Sequence, residues 1–89
     1  MTMKILCVCG LGQGTSLILR MNVETALREM GITADVDNTD VSSASSLNPD
    51  IIITSNELAQ SLKGTPSKVI IVNNYFDMDE IRSALKENL

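Results

Sequence analysis

The sequence predicts an α/β fold: a four-stranded parallel sheet with helices on both faces. Three observations carry that reading. Short apolar runs recur at residues 4–8, 32–36, 51–54 and 68–72, each of strand length. The stretches between them show helical spacing or helix-start residues. The connections are short, as consecutive strand–helix–strand units with right-handed crossovers require.

The elements follow in order. Residues 4–8 form a first strand buried on both faces, with the run Ile5-Leu6-Cys7-Val8 at its centre. Cys7 sits inside this strand and reads as a core residue, since a reduced cysteine packs as a small hydrophobe. The chain then breaks into Cys9-Gly10-Leu11-Gly12-Gln13-Gly14-Thr15-Ser16. From Leu17 to Met30 the period is helical, with Thr15 or Ser16 as the cap. Leu19, Val23, Ala26, Leu27 and Met30 make the apolar stripe. Arg20, Glu24 and Arg28 make a solvated face at i,i+4 spacing. Gly31 ends the helix as a left-handed cap.

Residues 32–36 form a second, more polar strand placed near an edge. Asn38-Thr39-Asp40 reads as turn material, and Asp40 as the cap of a short, mobile, serine-rich helical turn over 41–47. Residues 51–54 form the third strand. Ser55 or Asn56 caps a short helix over 57–63, and Gly64-Thr65-Pro66 is a loop. Residues 68–72 are the fourth strand. Asn73 to Phe76 is a loop, Asp77 caps, and the closing helix spans 78–88, with Ile81, Leu85 and Leu89 on one face. The order expected for such a chain is 2-1-3-4, a flavodoxin-like three-layer arrangement whose ligands sit at the carboxyl ends of the strands. Those ends are the Cys9 loop, residues 38–40, Ser55-Asn56 and residues 73–76. The whole of 1–89 is expected to be one domain.

Composition narrows the chemistry. A net charge of -4 with scattered basic residues argues against nucleic acid as a partner. No apolar run approaches the ~20 residues that span a bilayer, so the chain is expected to be cytoplasmic, with reduced thiols and no membrane insertion of its own. There is no histidine. That removes Ser-His and Cys-His catalysis and histidine metal sites from within the chain. Cys7 and Cys9 are the two cysteines, too few for a four-cysteine zinc site, and two residues apart on a strand they are poorly placed to bridge. No metal or cofactor is called for.

The glycine-rich stretch carries the chemistry that is left. A strand, a tight turn and a helix start place several N–H groups without intrahelical partners at the positive end of a helix dipole. Such an end suits phosphate. The stretch lacks the lysine of a nucleoside-triphosphate loop, and its GxGxG spacing departs from the dinucleotide fingerprint. What distinguishes it is Cys9 at its mouth, whose thiolate the same N–H groups would stabilise. A thiol beside a phosphate cradle suggests a thiol that becomes phosphorylated. A tyrosine-phosphatase loop has the pattern Cys-x5-Arg-Ser/Thr. Here Cys9 is followed by five residues and then Thr15, and the arginine is absent. A carrier, which must not hydrolyse its thiophosphate, tolerates that loss better than a phosphatase does.

Val8-Cys9-Gly10-Leu11-Gly12-Gln13-Gly14-Thr15-Ser16, followed by Leu17-Ile18-Leu19-Arg20-Met21, resembles the active-site loop and first helix of enzyme IIB components of the sugar phosphotransferase system (PTS). The likeness is to the ascorbate-type branch, with the galactitol and lactose/cellobiose types as relatives. It implies a phosphotransferase of the protein-phosphocysteine–sugar kind. Cys9 would accept a phosphoryl group from a phosphohistidine of enzyme IIA and pass it to a sugar or sugar acid carried by the membrane component, enzyme IIC. Gly10, Leu11, Gly12, Gln13, Gly14, Thr15 and Ser16 would form the phosphate loop. Leu11, Tyr75 and Phe76 are candidates for docking partners, with core packing the simpler expectation for Tyr75 and Phe76. Gln13 is a candidate phosphate ligand. Two other classes remain: a low-molecular-weight phosphatase or arsenate-reductase-like thiol enzyme, with Asp77 as the acid, and a non-catalytic IIB-like sensing domain.

Overall fold

Four parallel strands lie side by side in the order β2-β1-β3-β4, the order expected from the sequence. The computed structural model describes residues 3–8, 13–40, 44, 47–62 and 64–89, and the side chains of α1 from Leu17 onwards. The elements are β1 (Met3–Val8), α1 (Gln13–Glu29), β2 (Ala34–Thr39), β3 (Ile51–Thr54), α2 (Asn56–Ser61), β4 (Lys68–Ile71) and α3 (Met78–Asn88). β1 pairs with β2 from Met3↔Ala34 to Val8↔Thr39 and with β3 from Ile5↔Ile51 to Cys7↔Ile53.

The two-residue period of the central strands sorts their side chains to opposite faces. Ile5, Cys7, Ile51, Ile53 and Ile70 join Leu19, Val23, Ala26 and Leu27 of α1 and Ile81 and Leu85 of α3 in one core. Leu6, Val8 and Ile52 face the other way, against Ala44, Leu62 and the partly buried Leu58 and Val69. α1 and α3 therefore share one face of the sheet, and Arg82 of α3 donates from Nε to Glu29 Oε1 of α1 at 3.2 Å. That bond is the main cause holding the Arg82 guanidinium pKa above its ordinary value.

Several boundaries differ from expectation. α1 begins at Gln13 rather than Leu17, so Thr15 and Ser16 lie inside its first turn and do not cap it. Residues 13–16 contain no apolar side chain, so the apolar period carried no signal there. β2 covers 34–39 rather than 32–36. Gly31 does take the left-handed conformation, φ 72°, but the helix end reaches one residue further. Gly31 N–H donates to Arg28 O at 3.2 Å and Ile32 N–H to Leu27 O at 2.9 Å. This is the paired arrangement of a Schellman cap, in which Ile32 is the apolar residue that packs back on the helix. Ile32 is thus the end of α1, not the start of a strand. Asn38 and Thr39, read as turn residues, belong to β2, because Cys7 and Val8 of the neighbouring strand pair with them. Asp37 Oδ1 accepts from Asn38 N–H at 2.8 Å, which covers the donor at this edge.

α2 ends at Ser61, with Leu62 as its cap, instead of running to 63, and β4 ends at Ile71. Ser55 and Asp77 cap α2 and α3 as expected, Asp77 Oδ1 accepting from the N–H groups of Asp79 and Glu80 at 3.0 and 3.2 Å. Leu89 caps α3 and is 41% exposed, so it does not continue the buried face of Ile81 and Leu85. Most of the serine-rich segment 41–47 lies outside the described residues. Of its described members, Ala44 is buried and Leu47 exposed.

Candidate functional site

Parallel pairing sends the carboxyl ends of all the strands to one edge of the sheet. Four chain segments leave the sheet there: from Val8 towards α1, from Thr39 towards the 41–47 segment, from Thr54 into α2, and from Ile71 through residues 72–77 into α3. This is the edge at which doubly wound sheets bind ligands.

The first of these segments is the predicted phosphate loop. Cys9, Gly10, Leu11 and Gly12 lie outside the described residues. The backbone of Gln13, Gly14, Thr15 and Ser16 forms the first turn of α1. The N–H groups of a first turn have no intrahelical acceptor and carry the positive end of the helix dipole. With α1 starting at Gln13, the orphan donors belong to the loop motif itself and not to the Leu17 turn that the apolar period suggested. Only residues 9–12 separate the end of β1 from those donors. Cys7 is fully buried in the core shared with α1 and α3, as read from the strand pattern.

The strand end that leads into the loop is held by a residue that the sequence reading passed over. Thr54 is fully buried, and its Oγ1 donates to the Val8 carbonyl at 3.0 Å. Its own carbonyl accepts from Val72 N–H at 2.8 Å. One residue therefore ties together the ends of β1, β3 and β4. The signal was available: Thr54 is the polar member of the run Ile51-Ile52-Ile53-Thr54 at the functional edge, and a buried hydroxyl requires a partner.

Two further side chains fix the rim. Asn22 of α1 donates from Nδ2 to the Tyr75 carbonyl at 2.7 Å. Glu80 of α3 accepts from Asn73 N–H at 2.8 Å and Asn74 N–H at 3.0 Å. The loop between β4 and α3 is thereby bound to both helices. Tyr75 packs against the core as expected, whereas Phe76 is 68% exposed. Core packing therefore does not hold for Phe76: the Asn74 side chain accepts from Phe76 N–H at 3.0 Å, and the loop turns its ring outward. Leu17 and Met21, one turn apart on α1, are also exposed, at 47% and 57%.

Arg20 bridges α1 to the end of β2, donating from Nη1 to Asn38 Oδ1 at 3.2 Å. Its guanidinium also lies 3.5 Å from Glu24 and 3.7 Å from Asp37. The contact at Nε is an ion pair without hydrogen-bond geometry. Asp77, the candidate acid of a phosphatase, has its carboxylate engaged in capping α3.

A 2-1-3-4 parallel sheet between helices, with a glycine-rich segment joining its first strand to a helix N-terminus, places the protein among the flavodoxin-like α/β proteins. The chain belongs to the family of PTS lactose/cellobiose-specific IIB subunits, whose family model matches residues 4–87. It is similar to the ascorbate-specific PTS system EIIB component of Mycoplasma pneumoniae, with 32% identity over 98% of this chain and 95% of that protein. The component of the same name from Shigella sonnei is 38% identical over 80% of this chain and 72% of its own length. The fold resembles that of the lactose-specific IIB domain of the PTS from Streptococcus pneumoniae, with a TM-score of 0.69 and 15% identity, covering 98% of this chain and 94% of that one. Membership of the family makes the protein a phosphoryl carrier of a sugar phosphotransferase system. Among the described residues, no helix is long and apolar enough to cross a membrane.

Proposed function

We propose that Cys9 is the phosphoryl acceptor and that Gly10, Leu11, Gly12, Gln13, Gly14, Thr15 and Ser16 supply the phosphate loop. The observation that carries this reading is the start of α1 at Gln13, which assigns the donor-rich first turn to the motif that follows the cysteine. In the first step the Cys9 thiolate attacks the phosphorus of a phosphohistidine on enzyme IIA. The S–P bond forms, the N–P bond breaks, and the imidazole leaves with the electron pair. Because a phosphoimidazole protonated at its other ring nitrogen leaves as neutral imidazole, the absence of histidine from this chain is no obstacle. In the second step a hydroxyl of the transported sugar or sugar acid attacks phosphorus and the thiolate departs. The base for that hydroxyl comes from the membrane component, enzyme IIC, at the cytoplasmic face. The loop N–H groups and the Thr15 and Ser16 hydroxyls hold the phosphoryl oxygens in both steps. The names of the curated relatives favour the ascorbate type.

The exposed Leu17 and Met21 on α1 and Phe76 in the loop before α3 support docking of a protein partner, since exposed apolar side chains on the segments that leave the carboxyl ends of the strands suit such contact. The phosphatase reading is weaker on two counts: the loop has no arginine, and Asp77 is occupied as a cap.

The test is direct. Incubation with phosphorylated enzyme IIA should add one phosphoryl group, about 80 Da by intact mass. Cys9→Ser should abolish the thiol-type adduct and Cys7→Ser should leave it. An adduct that survives Cys9→Ser, or that depends on Cys7, overturns the assignment. Alkylating reagent should modify Cys9 much faster than the buried Cys7 in the folded protein, and equal rates would contradict it.

A further inference from the structure

We infer that the outer edge of β4 is a self-association surface, on which a second copy of this chain pairs its own β4 antiparallel to the first. The chemistry of the phosphate loop plays no part in it. β2 and β4 are the two edges of the sheet, and an open edge is a template for another strand. β2 is guarded: it carries Asp35 and Asp37, and Asp37 Oδ1 takes the N–H of Asn38 at 2.8 Å. β4 is not. Lys68 N–H donates to Asp50 O at 3.1 Å and Val72 N–H to Thr54 O at 2.8 Å, so residues 68, 70 and 72 turn their backbone groups towards β3. The two-residue period of a strand turns those of 67, 69, 71 and 73 outward.

Side chains cover the ends of that outward row. Thr65 Oγ1 accepts from Ser67 N–H at 3.5 Å, and Glu80 Oε2 accepts from Asn73 N–H at 2.8 Å. Between them, the outward groups of Val69 and Ile71 have no partner among the described residues. Backbone groups of this kind are normally paired. Ile71 is also exposed, at 42%, whereas Ile70 beside it is buried.

The open stretch is complementary to itself. An antiparallel strand with Val69 of one copy opposite Ile71 of the other makes a pair that exchanges both N–H···O bonds. Two-fold symmetry about Ile70 makes the same pair again, so the open groups of both residues are satisfied in both copies. Val69 packs, half-buried, on the α2 face, and Ile71 points the same way. Each exposed Ile71 side chain therefore comes to lie beside a Val69 of the other copy. Charge selects this pairing over a parallel one. Lys68 stands at one end of the open stretch and Glu80 at the other, both on the α3 side, with Lys68 Nζ donating to Asn88 O at 2.9 Å. Antiparallel pairing brings each Lys68 to the Glu80 end of the other copy, whereas parallel pairing sets like ends together. The contact is short, below the area of a permanent dimer, so association is weak and depends on concentration.

The experiment uses the intact chain. Sedimentation equilibrium should show monomer at about 10 μM and dimer growing in towards about 1 mM, the range of a small interface. Amide hydrogen exchange should slow at Val69 and Ile71 over the same range, and not at Ala34 or Val36 of β2. Ile71→Pro removes an outward N–H that the monomer does not use, which an edge strand tolerates, so by its melting curve it should stay folded and by sedimentation stay monomeric. If it does not fold, Ile71→Lys takes its place with the same expectation. Lys68→Glu should weaken association roughly fivefold or more at low ionic strength, and less at high salt. Wild-type protein that is monomeric throughout the range overturns the inference. So does an Ile71 variant that dimerises as wild type does, protection that grows at Leu17, Met21 and Phe76 instead of β4, or assembly beyond the dimer, which would mean open-ended contacts in place of a closed two-fold. Association that Lys68→Glu leaves unchanged or strengthens overturns the antiparallel register.

Discussion

The two faces of the sheet are built differently. One is covered by α1, of 17 residues, and α3, of 11. Their stripes lock with Ile5, Cys7 and Ile53 into a single core, and Arg82–Glu29 and Asn22–Tyr75 bonds join α1 to α3 and to the loop before it. Among the described residues, the other face is covered by α2, of 6 residues, and by Ala44. α2 rests there through the half-buried Leu58, and its cap Leu62 is the leucine that enters the core. The difference bears on the site. The helix whose N-terminus adjoins the predicted phosphate loop packs its stripe into the core shared with α3, so the donors of its first turn are carried by a helix anchored along its length. A dipole end serves as a preorganised anion site only if the helix behind it does not move.

The largest test of that contrast uses two neighbours in β3. Ile52 and Ile53 are both fully buried and point to opposite faces. Truncation to alanine costs about 2–5 kcal/mol, depending on how far the surroundings collapse into the space. Ile53→Ala, walled in by α1 and α3, should fall near the upper end. Ile52→Ala, whose described neighbours are Ala44, Leu62 and the half-buried Leu58, should fall near the lower end. Urea unfolding of both variants measures the difference, and equal losses would show that the two faces are equally unyielding.

The next test compares the two left-handed glycines. Gly31 follows α1 with φ 72° and Gly64 follows α2 with φ 89°, and in both cases an added methyl would meet open space. The cost of alanine is then the backbone conformation alone, about 1–2 kcal/mol. Gly31→Ala should reach the upper part of that range, because the two Schellman bonds from residues 31 and 32 hold the conformation in place. Gly64→Ala should be nearer the lower part. A larger loss at Gly64 would mean that the α2 end is the more tightly determined of the two.

How much of this was legible in the sequence depends on which force sets each feature. Strand β3 was read to the residue because three isoleucines need burial on both faces and Pro49-Asp50 and Ser55 bound the run. The order of the sheet followed from alternation and handedness. What escaped was settled by backbone pairings that the apolar pattern does not mark. Ile32 looked like the start of a strand, but its N–H is taken by Leu27. Asn38 and Thr39 looked like a turn, but Cys7 and Val8 hold them in the sheet. The start of α1 escaped for a different reason. Residues 13–16 are glycine and polar residues with no stripe to bury, so nothing in the periodicity marks a helix whose first turn is suited to a ligand. Of the site, the loop motif was plain from residues 9–16, whereas Thr54, Asn22 and Glu80 act through partners 46, 53 and 6 or 7 residues away.

The smallest expected effect separates the two caps. Asp77 accepts from two first-turn N–H groups of α3 at 3.0 and 3.2 Å, and its negative charge lies at the positive end of the helix dipole. Ser55 accepts from one N–H, that of Leu58, at 3.5 Å, and is uncharged. Removing a cap costs about 1 kcal/mol in the typical case, from about 0.5 to 2. Asp77→Ala should therefore cost about 1 kcal/mol or somewhat more, and Ser55→Ala about 0.5 kcal/mol. The two losses should also respond differently to salt. Part of the Asp77 contribution is charge–dipole attraction at an exposed site, which salt screens, so its loss should shrink as ionic strength rises while that of Ser55 stays level. Melting of both variants at low and high salt checks both statements. A salt-independent loss at Asp77 would assign its effect to the two hydrogen bonds alone, and a larger loss at Ser55 would show that α2 depends on its cap more than on its packing.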